Sequence, residues 1–142
     1  MRAHATRFLD ELGMTESDML GWANCQVARI DPSRQINGFS DVRLRSGVFL
    51  LQLALSVAPE CVEAAKILPG ETAEECEINA RYAISCVLKM GACVFAVWED
   101  IVEVRPKLLM TIFAAVMAED LHRHISAEST EGSGENNLRN EP

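Results

Sequence analysis

Five cysteines, three histidines and twenty-one acidic residues are the groups in this chain that could hold a metal, attack a substrate or move a proton. Cys25, Cys61, Cys76, Cys86 and Cys93 are odd in number and contain no Cys-x-x-Cys, which argues against a disulfide framework and against a zinc site. Most sit among apolar neighbours, where a free cysteine behaves as a small hydrophobe, and reduced, buried thiols suit a reducing compartment. His122 and His124 are two residues apart at a helix end and do not share a face, and His4 is far away in sequence, so a three-ligand metal site lacks partners. Glu74-Glu75-Glu77 and Glu99-Asp100-Glu103 could supply acid/base pairs, yet acids at helix starts and on solvated faces explain both runs. Gly132-Ser133-Gly134 has no strand before it and no lysine after it, which is not how a phosphate loop is built. No Gly-x-Ser-x-Gly occurs, and no cysteine has a histidine near it in sequence. The expectation is a chain that is not an enzyme, with no cofactor and no metal.

Composition narrows the remaining classes. At 142 residues, 49% of them apolar, the chain can bury one core of ordinary domain size. Aromatic content is only 6%, so Leu, Ile, Val, Ala and Met must do most of the packing. The net charge is -8, without a basic domain or stripe, which argues against nucleic acid and against an anionic membrane surface. The nearly unbroken apolar runs Val48 to Leu55 and Leu108 to Ala118 fall well short of the roughly 18 residues that cross a bilayer. Basic residues at Met1–Arg7 are not followed by an apolar run of signal-peptide length. These features read as a soluble, intracellular protein.

The elements that would carry any site are helical. Thr15 followed by Asp18 is an N-capping arrangement, after which Met19, Leu20, Ala23 and Val27 recur at helical spacing until Asp31-Pro32 ends the helix. Asn37-Gly38 marks a turn, and Phe39 follows in a loop whose apolar residues cover the core. A second helix is predicted from about Ser46 to Ala58, stopping at Pro59 and buried on several sides. Thr72 to Glu75 is a second capping pattern, opening a helix to Met90 whose apolar face is predicted at Ile78, Tyr82, Cys86 and Met90, widened by Ala83, Val87 and Ile84, with Gly91 as its C′ residue. Pro106 suits the first position of a last helix, with one ridge at Leu108, Ile112 and Val116 and another at Leu109, Phe113, Met117 and Leu121. Ala92 to Trp98 looks like a strand but has nothing to pair with, so it reads as a buried connector. The predicted fold is all-α, with four main helices and short helical connectors spanning residues 15–125. The polar, acidic tail 126–142 lacks the apolar residues that would offset its ordering entropy and is expected to be disordered.

Several motifs in order then resemble a known family. Leu20-Gly21-Trp22-Ala23-Asn24 is similar to the Leu-x-Trp-x-Asn signature that opens calponin-homology domains. Ser46-Gly47-Val48-Phe49-Leu50-Leu51-Gln52-Leu53 resembles that family's glycine-then-apolar third-helix motif. Asn79-Ala80 and Lys89-Met90-Gly91 match the two ends of its long central helix, Glu99-Asp100-Ile101-Val102-Glu103 its Glu-Asp-Ile turn, and Lys107 to Thr111 its final helix. The run Glu99 to Lys107, with Met110 to Ala114 and Asn79 to Ser85, is most like the fourth, carboxy-terminal domain of fimbrin/plastin proteins. The segment from Met1 through Phe8-Leu9 to Gly13 resembles the end of the preceding domain's last helix and the linker beyond it, which makes residues 1–14 an expected helix end and linker. Two positions depart from the family pattern: Ser46 stands where an aspartate is usual, and Trp98 where a proline is usual.

The resemblance implies a cytoplasmic, actin-cytoskeletal protein that binds actin filaments as part of a cross-linking chain, beside a neighbouring calponin-homology domain. It equally admits a single-domain adaptor or scaffold with a non-actin partner. Trp22, Asn24, Phe39, Gly47, Asn79 and Asp100 are the motif positions expected to serve the core and local backbone. The resemblance also implies actin contacts around the first helix, as in the family's tandem domains, which points to Glu16, Asp18 and Gln26. Because actin's surface is largely acidic, the basic candidates for partner contact are Arg43 with Arg45, and Arg105 with Lys107.

Overall fold

Thr15 starts the first helix by the expected exchange: its hydroxyl accepts the Asp18 N–H at 3.0 Å, and the Asp18 carboxylate accepts the Thr15 N–H at 3.0 Å. The structure is a computed structural model in which residues 10–139 are described, side chains as far as residue 127. Helix α1 (Glu16–Ala28) buries Met19, Ala23 and Val27, one residue per turn along a single stripe. Ahead of it, Asp10 and Glu11 are helical and a turn closes at Gly13, whose N–H donates to the Asp10 carbonyl at 3.0 Å. Leu12 is 52% exposed, while Phe8 and Leu9 lie outside the described residues.

Beyond a 3₁₀ turn at Val42–Ser46, Gly47 takes a left-handed φ of 75° and launches α2 (Val48–Val57). That helix buries Val48, Phe49, Leu50, Leu51, Leu53, Ala54 and Val57, so it is enclosed on nearly every side, as its apolar run predicts. Two further 3₁₀ turns, Pro59–Cys61 and Ala64–Lys66, lead to α3 (Ala73–Lys89), whose cap Thr72 accepts the Glu75 N–H at 3.1 Å. Its buried face is Cys76, Asn79, Ala80, Ala83, Cys86 and Val87. It keeps the expected Ala83, Cys86 and Val87 but departs from the predicted line at its start, where Ile78 is 44% exposed and Asn79 and Ala80 are buried instead. Small side chains line the seam because they let α3 lie close against α2, and the bulkier residues are turned outward. The helix ends in a Schellman motif, with Gly91 N–H donating to the Leu88 carbonyl and Ala92 N–H to that of Val87.

Residues 92–97 form an irregular connector to α4 (Trp98–Val102), and no strand occurs among the described residues. Pro106 then opens α5 (Pro106–Arg139), whose first turns bury Leu109 and the unbroken run Ile112 to Met117. Phe113 sits at the centre, edge-on to Phe39 at 5.0 Å and stacked with Phe49 at 6.1 Å. The backbone stays helical through Arg139, across a segment whose composition predicts no order. A helix already nucleated and packed extends at little further cost. Among the described residues the fold is all-α, with four main helices and a short fifth between the third and last. No helix is long and apolar enough to cross a membrane among the described residues.

Candidate partner-binding surface

The motif residues are spent on holding the elements together, and this decides what remains for a partner. Asn79, fully buried on α3, accepts the Leu68 N–H at 2.9 Å and donates to the carbonyls of Leu68 and Ser46, each at 2.9 Å. One amide thus closes the loop before α3 and ties it to the entry of α2. Gly47 lies directly beneath it: a Cβ there would stand 2.9 Å from the Asn79 Cβ. Asn24 does the same work lower down, donating to the Ile36 carbonyl at 3.0 Å and accepting its N–H at 2.9 Å. Phe39 is 2% exposed against Phe113.

Trp22 packs half-buried on the core, and its indole N–H donates to Asp120 at 3.1 Å, joining α1 to α5. Sequence reasoning expects a partner for that N–H but does not name Asp120. The signal was present: Asp120 follows Phe113, Val116 and Met117 at helical spacing, an acid on the buried stripe of α5. Asp120 also takes the exposed His124 at 3.4 Å.

Asp100 is 3% exposed and caps α4 by accepting the Val97 N–H at 2.8 Å. Its other oxygen accepts the Arg105 guanidinium at 2.6 Å, and Arg105 also donates to Glu103 at 2.9 Å. Between them Val104 adopts φ 49°, a strained value for a β-branched residue, which the Asp100–Arg105 clasp holds in place. Arg43 is committed in the same way: its guanidinium grips Asp41 in a fork, with Nη2 to Oδ2 at 2.7 Å and Nε to Oδ1 at 3.0 Å. These bonds hold the Asp41 carboxyl far below the usual carboxylate range. Two of the four expected contact cations are therefore internally neutralised.

The other two line separate grooves. Lys107 shares a methionine-walled groove with Met14, Met19 and Met110, rimmed by Asp10 and Glu16. Arg45 shares a second groove with Gly70, Cys76, Trp98 and Val102, rimmed by Glu71 and Glu77. Of the positions marked on the first helix, Glu16 lines the Lys107 groove, Asp18 is used in the cap, and Gln26 accepts the Ser56 hydroxyl at 3.2 Å. Cys25 and Cys93 are exposed, while Cys61, Cys76 and Cys86 are buried. Burial pushes the Cys61 and Cys86 thiols up, away from the reactive thiolate. Among the described residues no cluster of His, Cys, Asp and Glu could hold a metal ion.

Comparison with known proteins gives a consistent result. Residues 13–120 match the family model for the calponin homology (CH) domain. The chain is 38% identical over 117 residues to Fimbrin-5 of Arabidopsis thaliana, covering 82% of this chain and 17% of that protein. It is 33% identical over 128 residues to Plastin-1 of Mus musculus, covering 87% and 20% respectively. The crystal structure of the actin-crosslinking core of Schizosaccharomyces pombe fimbrin superposes with a TM-score of 0.75 at 37% identity, over 82% of this chain and 25% of that one. The chain spans about a fifth of the length of these curated relatives.

Proposed function

The chain belongs to the calponin homology domain family, and from that premise we propose that it is an actin-filament-binding module, the counterpart of the last such domain in a fimbrin-like cross-linking protein of the actin cytoskeleton. The observation that carries this reading is the match, in sequence and fold together, to the actin-crosslinking core of a fimbrin. The motif resemblance at Glu99 to Ala114 supports the placement as the terminal domain. The module acts by binding rather than by catalysis, in the cytoplasm, and a neighbouring calponin-homology domain completes its binding unit.

The surface chemistry suits that role. An acidic filament is met by basic side chains, and Arg45 and Lys107 are the two expected cations without an ion pair among the described residues. One domain offers a small interface and lacks the avidity of a linked pair, so binding is weak and the isolated chain does not bundle filaments. High-speed co-sedimentation tests the reading: pelleting with filaments at roughly tens of micromolar chain is expected. No filament-dependent pelleting in that range would remove the proposal.

A further inference from the structure

We propose that the groove between Arg45 and Trp98 is where this domain receives the filament, taking a surface stretch that presents one carboxylate beside one apolar side chain; this rests on the filament-binding reading above. Arg45 is exposed, it has no ion-pair partner among the described residues, and it lines the groove. Arg43 and Arg105 would each have to abandon a carboxylate of their own chain to serve a partner, so the exchange returns little. Glu77, which could have neutralised Arg45, is instead drawn to Arg81 at 2.9 Å. Arg81 in turn lies over the Trp98 ring, 4.8 Å from its centroid, and steadies the indole from one side. Trp98 and Val102 then give the groove an apolar floor next to a cation, a pairing of the residue types that dominate binding energy at interfaces. Glu71 on the rim repels a second carboxylate and limits the occupant to one.

Both departures from the resembled family pattern fall at this groove. Trp98 replaces a proline and supplies the aromatic surface, at the first position of α4. Ser46 stands where the resembled pattern has an aspartate, so the position next to Arg45 in sequence offers the guanidinium no carboxylate. Ser46 also abuts the groove-lining Gly70, where a Cβ would come within 2.6 Å of its own Cβ.

The test is filament co-sedimentation of the full chain and three variants. Arg45→Glu is expected to weaken binding at least about tenfold, the scale of one charge-assisted contact, while its melting temperature stays that of the parent because Arg45 is exposed and unpaired. Arg45→Lys retains most of the affinity, and Lys89→Glu, an exposed cation outside the groove, leaves it unchanged. Should Arg45→Glu bind like the parent, the groove assignment falls and filament binding stands. Equal weakening by Lys89→Glu would mean a diffuse charge effect and also overturn the groove. If the unsubstituted chain does not pellet, both readings fall together.

Discussion

A single amide, Asn79, joins three backbone groups from a loop and a 3₁₀ turn, and replacing it takes the side-chain partner from each of these part-buried groups. Asn79→Ala is expected to cost about 2 to 4 kcal/mol in a denaturant titration, well above the loss for an exposed asparagine. The sequence shows that Asn79 matters but not what it touches, because Leu68 lies in a loop whose course no periodicity predicts and Ser46, ending a 3₁₀ turn, is 33 residues away. The thiols make a second check at this scale. With Cys25 and Cys93 exposed and Cys61, Cys76 and Cys86 buried, alkylation at neutral pH is expected to label two sites quickly and three only after unfolding. Carboxylates set the acid limit: Arg43 holds Asp41 well below its ordinary value, and the Thr15 N–H and hydroxyl lower Asp18. A carboxylate depressed in the fold stabilises it above its unfolded pKa and loses that contribution as pH falls through the folded value. The melting temperature is therefore expected to hold down to about pH 5 and to drop below about pH 4, with Asp41→Asn lower at neutral pH and shallower in its decline.

Elements were more legible than the contacts between them. Caps at Thr15 and Thr72, the stop at Pro59 and the start at Pro106 all appear where residue type alone puts them. The face that α3 buries was legible only in part. Cys86 and Met90 of the four-spaced line are buried, with Ala83 and Val87 beside them, while Ile78 is exposed, Tyr82 is half-buried, and close approach to α2 brings Asn79 and Ala80 inward instead. Volume at the seam outweighs hydrophobicity, and a sequence displays the second more openly than the first. Gly47 is where two elements nearly touch. Gly47→Ala forces a side chain into a left-handed φ and against the Asn79 Cβ, so a loss of about 2 kcal/mol or more is expected in thermal unfolding. The tie between α1 and α5 is gentler: Asp120→Ala leaves the Trp22 N–H without its acceptor and should cost about 1 to 3 kcal/mol.

For the whole molecule, the motif residues and the proposed binding residues are different sets. Trp22, Asn24, Phe39, Asn79 and Asp100 identify the family because they build it, and all five are turned to internal partners. The surface cations carry no pattern, so sequence marks four of equal standing, and only the geometry separates Arg43 and Arg105, already clasped, from Arg45 and Lys107. On the proposed reading, a domain that spans about a fifth of its fimbrin and plastin relatives binds a filament without linking two. Sedimenting the chain with actin filaments at two speeds tests that directly. The expected result is co-pelleting at high speed, where single filaments sediment, and none at low speed, where only bundles do. An absence of filament-dependent pelleting at high speed would contradict it.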